Sequence, residues 1–325
     1  MLAVVEAAYR LDQPTRAWLS EIVEAAGGLL DHGMGVFGFV CRRTARGTLR
    51  VTSDIVTAGD VPAGFVGLMA GITEAWSGEV MSAFMARVLD TASEAHAKQG
   101  LLLADSPIFR PAIELGVRDS VAAKAVDPSG NGLVLGALLP RERTTRASDR
   151  TRWAQLMAHL LAGLRLRAGL RTDEGDAVVE PGGRVVHAEG EARSARDALR
   201  EAAVAIDRAR VRGRRDPDAA LSAWLALVRG RWSLVDRFDR DGRRFLVARR
   251  NDPAVSGPAE ISLRERQILA YAALGYSNKR IAYSLGLAPS TVSSHLRRGM
   301  RALGITERAA LVELYRARAP VAEPS

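Results

Sequence analysis

The stretch from Glu260 to Tyr315 reads EISLRERQILAYAALGYSNKRIAYSLGLAPSTVSSHLRRGMRALGITERAALVELY, and its punctuation leaves little choice of local structure. Ser262 followed by Glu265 is a capping box, each side chain serving the other's free backbone N–H, so a helix starts near Leu263. Ile268, Leu269 and Ala272 share one face of it, and Gly275 closes it. Ser277 caps a second helix with Ile281, Ala282 and Leu285 inward, and Gly286 ends it. After a tight turn, Leu287-Ala288-Pro289, a third helix repeats Val292, Leu296, Met300 and Leu303 at intervals of three and four. Its opposite face carries Ser290, Ser293, Ser294, Arg297, Arg298 and Arg301. A fourth short helix completes the segment.

Two short helices joined by a turn, the second polar and basic outside, form a helix-turn-helix whose second helix enters a major groove. The run RERQIL, the segment GYSNKRIA, the LGL turn, TVSSHL and the closing ALGI together resemble the LuxR/NarL-type DNA-binding domain of bacterial regulators, over about the last fifth of the chain. Region 4 of sigma factors has a related fold and is the nearest alternative. The upstream regions do not read as an all-helical promoter-melting domain.

The resemblance implies roles residue by residue. Ser293, Ser294 and Arg297 stand where the family reaches base edges, chemistry that suits Arg on guanine and Ser on either kind of edge. Lys279, Thr291, Arg298 and Arg301 stand where phosphate contacts position the module. His295, beside the buried stripe, is expected to be packed and hydrogen-bonded. Three positions depart from the pattern. Ala288 replaces the usual Ser or Thr cap, a loss of about 1 kcal/mol that Pro289 offsets in part by its preset dihedral. Gly299 stands mid-helix, costing about 1 kcal/mol against Ala. Ala302 replaces a frequent Lys.

The chain's 325 residues suffice for two or three domains. Its formal charge of +9 counts for less than the local basic face, because Lys occurs only at 98, 124 and 279 while Arg is spread throughout. Cys41 stands alone, so an internal disulfide or cysteine metal cluster is excluded and a reducing, cytoplasmic home is expected. The N-terminal MLAVVEAAYRLD lacks the pattern of a signal peptide. No apolar run reaches the roughly 18 residues of a spanning helix, so no membrane partner is expected.

Upstream of the C-terminal segment the pattern alternates. Residues 1–30 read as helical with a break at Gln13-Pro14 and a close at Gly27-Gly28. Gly35–Val40 and Thr48–Thr52 flank a polar turn, a hairpin signal. Residues 61–97, with Trp76, Met81, Phe84 and Met85, read as mostly helical. Two apolar strands then flank DPSGNG at 127–132, and Ser148 opens a long helix to about Arg171, expected to pack on its own sheet, with extension as a dimer seam as the alternative. Helices on an antiparallel sheet make an α+β layer fold, whose element order resembles a GAF-type sensory domain over residues 1–172.

RTDEGD at 171–176 reads as a linker. Beyond it come a hairpin around Pro181-Gly-Gly, a helix from Ser194 to about Arg210, a second from Asp218 to Val228 carrying Leu221, Trp224, Leu225 and Val228, and two strands around DRDG. That order resembles a small PAS-like module over 173–250. Residues 251–258 form a tether, leaving 259–325 as the DNA-binding domain.

A receiver domain is excluded by the missing acidic pair and fifth-strand Lys, which leaves Asp54, Asp60 and Asp105 without that role. The motif of acyl-homoserine-lactone domains is not evident. His32, His96, His159 and His187 are scattered singly, which argues against metal or haem. No cofactor and no enzymatic machinery are expected. The sequence therefore reads as a sequence-specific transcription regulator with double-stranded DNA as partner, RNA polymerase and an unidentified small-molecule or protein effector as further partners, and a homodimer as the binding form. The alternative is a ligand-binding or interaction protein that docks on polymerase through the same helices with few DNA contacts.

Overall fold

In the computed structural model the structure describes residues 1–44, 49–75, 84–85, 87–107, 109–169, 175–212, 221, 227–228, 232–238, 242–253, 255 and 261–317. The chain divides into two compact units. One comprises Gln13–Met157, Ala273–Gly275 and the described part of Glu307–Ser325; the other comprises Met1–Asp12, Ala158–Ala272 and Tyr276–Thr306. The elements in chain order are numbered from α1 (Leu2–Ala8) and α2 (Thr15–Leu30).

The first unit is built on β1 (Val36–Arg43), β2 (Leu49–Val51), β3 (Val56–Ala58), β4 (Leu89–Thr91), β5 (Asp119–Val126) and β6 (Asn131–Leu139). They form an antiparallel sheet in the order β2-β1-β6-β5-β4, with β3 also on β1. The β5–β6 turn works as the DPSGNG run predicts. Asp127 Oδ1 accepts from the N–H groups of Ser129 (2.8 Å) and Asn131 (3.1 Å), and Gly130 adopts φ 85°. Strand β6 is buried at nearly every position, so alternation is invisible because the sheet is covered on both faces. On one face lies α2 with Trp18, Leu19, Ile22 and Val23. On the other, Phe37, Phe39 and Cys41 meet Phe65, Ala112 and Val117, contributed by α3 (Phe65–Ala75), α5 (Arg110–Glu114) and the loop after it. Burial pushes the Cys41 thiol up to about 12.

Two expectations need correction in this unit. Helix α2 does not close at Gly27-Gly28 but continues to Leu30, because the stop is supplied by Asp31, whose Oδ1 accepts from the N–H groups of Gly33 and Gly35, both at 2.9 Å. The mostly helical reading of 61–97 also fails at Leu89–Thr91, which forms a strand on the edge of β5. Thr91 then starts α4 (Ala92–Ala97) through a capping box with Glu94. That strand exists because β5 offers it backbone partners, a long-range effect that overrides local helix preference. Trp76 and Met81 lie outside the described residues.

The second unit holds β7 (Ala177–Val179), β8 (Val185–Ala188), β9 (Leu227–Val228), β10 (Trp232–Phe238) and β11 (Arg244–Arg250), antiparallel in the order β8-β7-β11-β10-β9. Helix α6 (Ala147–Gly169) enters it from Ala158 onward, and α7 (Arg196–Arg212) lays Leu199, Ala202, Ala203 and Ile206, all buried, into its core. The expected helix over 218–228 is corrected at its end. Leu221 is helical, but Leu227 and Val228 pair with Ser233 and Trp232 as a strand, again a partner-imposed conformation. Trp224 and Leu225, most of the 171–176 linker, Asp239–Asp241 of the DRDG turn and much of the 251–258 tether lie outside the described residues. Helix α1 crosses α6 closely enough that a Cβ on Gly163 would sit 2.1 Å from the Ala8 carbonyl oxygen, so only glycine fits there. Among the described residues no helix is long and apolar enough to cross a membrane.

Candidate nucleic-acid interface

The remaining elements of the second unit are α8 (Leu263–Ala273) up to Ala272, α9 (Asn278–Leu285) and α10 (Pro289–Ala302); α11 (Arg308–Ala317) follows them. Their ends carry the chemistry that the residues dictate. The N–H of Ser262 donates to Glu265 Oε2 (3.2 Å) and that of Glu265 donates to Ser262 Oγ (3.3 Å), the reciprocal box. Ser277 Oγ accepts from the Arg280 N–H at 3.3 Å. Gly286 takes the left-handed conformation, φ 59° and ψ 40°, and the Leu287 N–H returns to the Ala282 carbonyl at 2.8 Å. Ala288 makes no side-chain cap, and Pro289 occupies the first turn of α10.

Helix α10 buries Val292, Leu296 and Gly299, while Met300 and Leu303 are half-buried. Gly299 costs helix propensity but permits close packing: a Cβ there would meet Leu269 Cδ1 at 2.8 Å. The glycine therefore sets how near α10 lies to α8.

The polar face of α10 divides into side chains that lie exposed and side chains held by neighbours. Ser294, Arg297 and Arg301 are exposed, as is Lys279 on α9, and Thr291 is half-buried. Ser293 is engaged. Its Oγ donates to the Pro289 carbonyl (3.1 Å) and accepts from Asn278 Nδ2 (3.0 Å), which pins α10 to α9. Arg298 is likewise held: its Nε lies 3.2 Å from Glu265 Oε1 and its Nη2 donates to His295 Nδ1 at 2.8 Å. His295 is thus packed and hydrogen-bonded, its Nδ1 lying between Arg298 and Glu265 Oε1 at 3.6 Å. The Ser262 hydroxyl, then the His295 and Arg298 contacts, hold the Glu265 carboxyl below its ordinary range.

Three contacts were not read from the residues. Arg280 lies 3.5 Å over the Tyr276 ring, a cation–π pair whose i, i+4 spacing was visible. Asn278 bridges the helices as described. Most distinctive is a buried chain around His159 on α6. Its Nδ1 meets Tyr9 Oη at 3.1 Å and its Nε2 meets Tyr283 Oη at 3.0 Å, so α9 is tied through Tyr283 to α6 and the segment after α1. Tyr9 also bonds Ser233, which accepts from Asn251 Nδ2 at 2.8 Å, and Asn251 Oδ1 accepts from Arg165 Nε at 2.9 Å. Burial drives the His159 pKa down to about 3 and pushes both tyrosines up. A neutral imidazole has one donor and one acceptor, which two hydroxyls satisfy. No local signal in the sequence joins positions 9, 159 and 283.

Among the described residues no group of three or more His, Cys, Asp or Glu could hold a metal ion. The outer face of α10 can do two things chemically: offer guanidinium and hydroxyl donors to base edges, and offer positive charge to phosphates.

Residues 259–315 match the profile of bacterial regulatory proteins, luxR family. A probable transcriptional regulatory protein, SgaR of Hyphomicrobium methylovorum, is 32% identical over 104 residues. That match covers 31% of this chain and 42% of SgaR, so the chain spans about two-fifths of its relative's length. Among solved structures, SdiA of Escherichia coli aligns over 96% of this chain and 94% of its own at 14% identity with a TM-score of 0.33. SdiA in complex with octanoyl-rac-glycerol aligns over 94% and 89% at 15% identity with a TM-score of 0.24. Both scores are low.

Proposed function

We infer that this chain, whose residues 259–315 belong to the luxR family of bacterial regulatory proteins, is a sequence-specific DNA-binding transcriptional regulator. The observation that carries this reading is the exposed row of Ser294, Arg297 and Arg301 on α10, with Lys279 beside it on α9. Ser293, Ser294 and Arg297 are assigned to base edges, and Lys279, Thr291, Arg298 and Arg301 to phosphates. Ser293 and Arg298 would have to share or release their present partners, so Arg297 is the strongest base reader and Arg301 the strongest phosphate contact.

Residues 1–172 and 173–250 are proposed as GAF-like and PAS-like sensory domains, 251–258 as a linker and 259–325 as the DNA-binding domain. Helix-flanked antiparallel sheets of six and five strands support the sensory assignment. One small helix-turn-helix reads too few bases for tight binding, so the chain acts as a homodimer on two half-sites about one helical turn apart, in concert with RNA polymerase. The effector controls how the terminal helices are held, and the Tyr283–His159 bond supports that coupling.

The test is selection of bound DNA from a random pool with the full-length protein, followed by titration at several salt concentrations. The expected result is one enriched sequence whose log affinity falls by about 0.9 per neutralised phosphate against log salt. Absence of enrichment with a flat salt dependence would favour docking on polymerase instead.

A further inference from the structure

A cavity of about 120 Å³ lies inside the first unit, under β1, β5 and β6, and its lining includes Phe37, Phe39, Phe65, Phe84 and Phe109. An engineered protein cavity of ~150 Å³ lined by apolar side chains admits benzene, so the space suits one ring or a short chain. The lining is mostly apolar, with Asp90, Thr91, His96, Gln99, Ser120 and Lys124 as its polar members. Lys124 of β5 and Asp90 of β4, each 1% exposed, form an ion pair. Asp90 Oδ2 also receives Lys98 at 3.1 Å, a side chain 34% exposed. Lys124 further lies 4.0 Å over the Phe84 ring.

Asp90 faces two ammonium groups, and both of its oxygens are taken. Glu94 also acts on Lys124, but its carboxylate is held by the Thr91 N–H, Thr145 and Arg150. Lys124 has three N–H donors, of which Asp90 Oδ1 takes one and the Phe84 face meets another direction. A buried ammonium is costly unless its charge is matched. Burial pulls the Lys124 pKa down, while Asp90 pulls it back up. Ser120 and Thr91 also line the space, nearer the start of β5 than Lys124 is.

The geometry points to a binding site for a small organic carboxylate, its ring or short chain among the phenylalanines and its carboxylate on the Lys124 ammonium. The anion would give the Lys124 ammonium a second acceptor beside Asp90, and the aromatic walls suit a ring through edge-to-face packing. Binding itself stands apart from the regulatory reading, and only its consequence for DNA rests on it.

Calorimetry and thermal melting of the full-length chain with benzoate, phenylacetate and hexanoate, each beside its own amide, test the site. At least one acid should bind about tenfold or more tightly than its amide, since only the acid offers an anion to the buried ammonium. The double variant K124M/D90N, which removes both charges together, should erase that preference and keep the amide's affinity. Ala122→Leu, which narrows the cavity and leaves the charges in place, should lose acid and amide alike with an unchanged circular dichroism spectrum, which keeps the test decisive where the double variant fails to fold. Acid and amide bound equally, no acid bound, preference persisting in K124M/D90N, or binding persisting in Ala122→Leu would each overturn the proposal. Titration of the selected DNA with and without the bound acid separates the two readings. An acid that binds without changing DNA affinity counts against sensing and leaves the site intact.

Discussion

Arg297 and Arg301 on α10 lie exposed, whereas Lys124 on β5 is 1% exposed and held by Asp90. All three are cations, yet solvent makes them different kinds of group. An exposed guanidinium keeps its hydration, contributes little to folding and remains available to a phosphate or a base. A buried ammonium loses its hydration, so the fold must supply its counter-charge and any ligand function is coupled to stability. The same contrast runs within the second unit, between Arg297 outside and His159 inside, neutral between two tyrosines.

The contrast breaks first, and most strongly, at Lys124. Lys124→Met leaves the Asp90 charge buried with only Lys98 beside it, and about 3 kcal/mol of stability should be lost in urea unfolding. Arg297→Ala should stay within ~0.5 kcal/mol in the same assay. Equal losses would erase the distinction.

Acid gives the next largest effect. The folded-state pKa of His159, about 3, lies below its ordinary value near 6.5, so the unfolded chain binds the extra proton. Stability is flat above about pH 6.5 and falls as pH drops, by roughly 2–3 kcal/mol at pH 4.5 for this one group. His159→Gln should flatten that window. Below about pH 4.5 protonation of Glu265, whose carboxyl is held low by Ser262, loosens the start of α8 as well.

On DNA the order reverses. Arg297→Ala should cost about 1–3 kcal/mol at one base position and change preference there. Arg301→Ala should weaken all sequences alike and reduce the salt slope by about 1. The smallest effect is expected for Arg298→Ala. Its guanidinium already serves Glu265 and His295, so part of any gain on phosphate is offset by contacts given up.

Legibility follows the same division. The helices α8–α10 were readable because their signals are local. Ser262 and Glu265, Ser277, Gly286 and the stripe of Val292 and Leu296 lie within one or two turns of what they determine. The β5–β6 hairpin was readable for the same reason, through Asp127 and Gly130. Leu89–Thr91 and Leu227–Val228 were not, because their conformation is imposed by strands distant in sequence. The Lys124–Asp90 pair joins positions 34 apart and the His159 chain joins positions 150 and 124 apart, separations at which spacing carries no signal. Even on α10 the residue types show which side chains face out, while the engagement of Ser293 by Asn278 needed the packed helices.

The central claim is that the outer face of α10 reads DNA sequence. Its most direct measurement is the base preference of Arg297→Ala against wild type, each selected from a random pool as full-length protein. The expected result is an enriched wild-type sequence that the variant binds with preference relaxed at one position per half-site. An unchanged preference, with affinity lowered equally for every sequence, would contradict it.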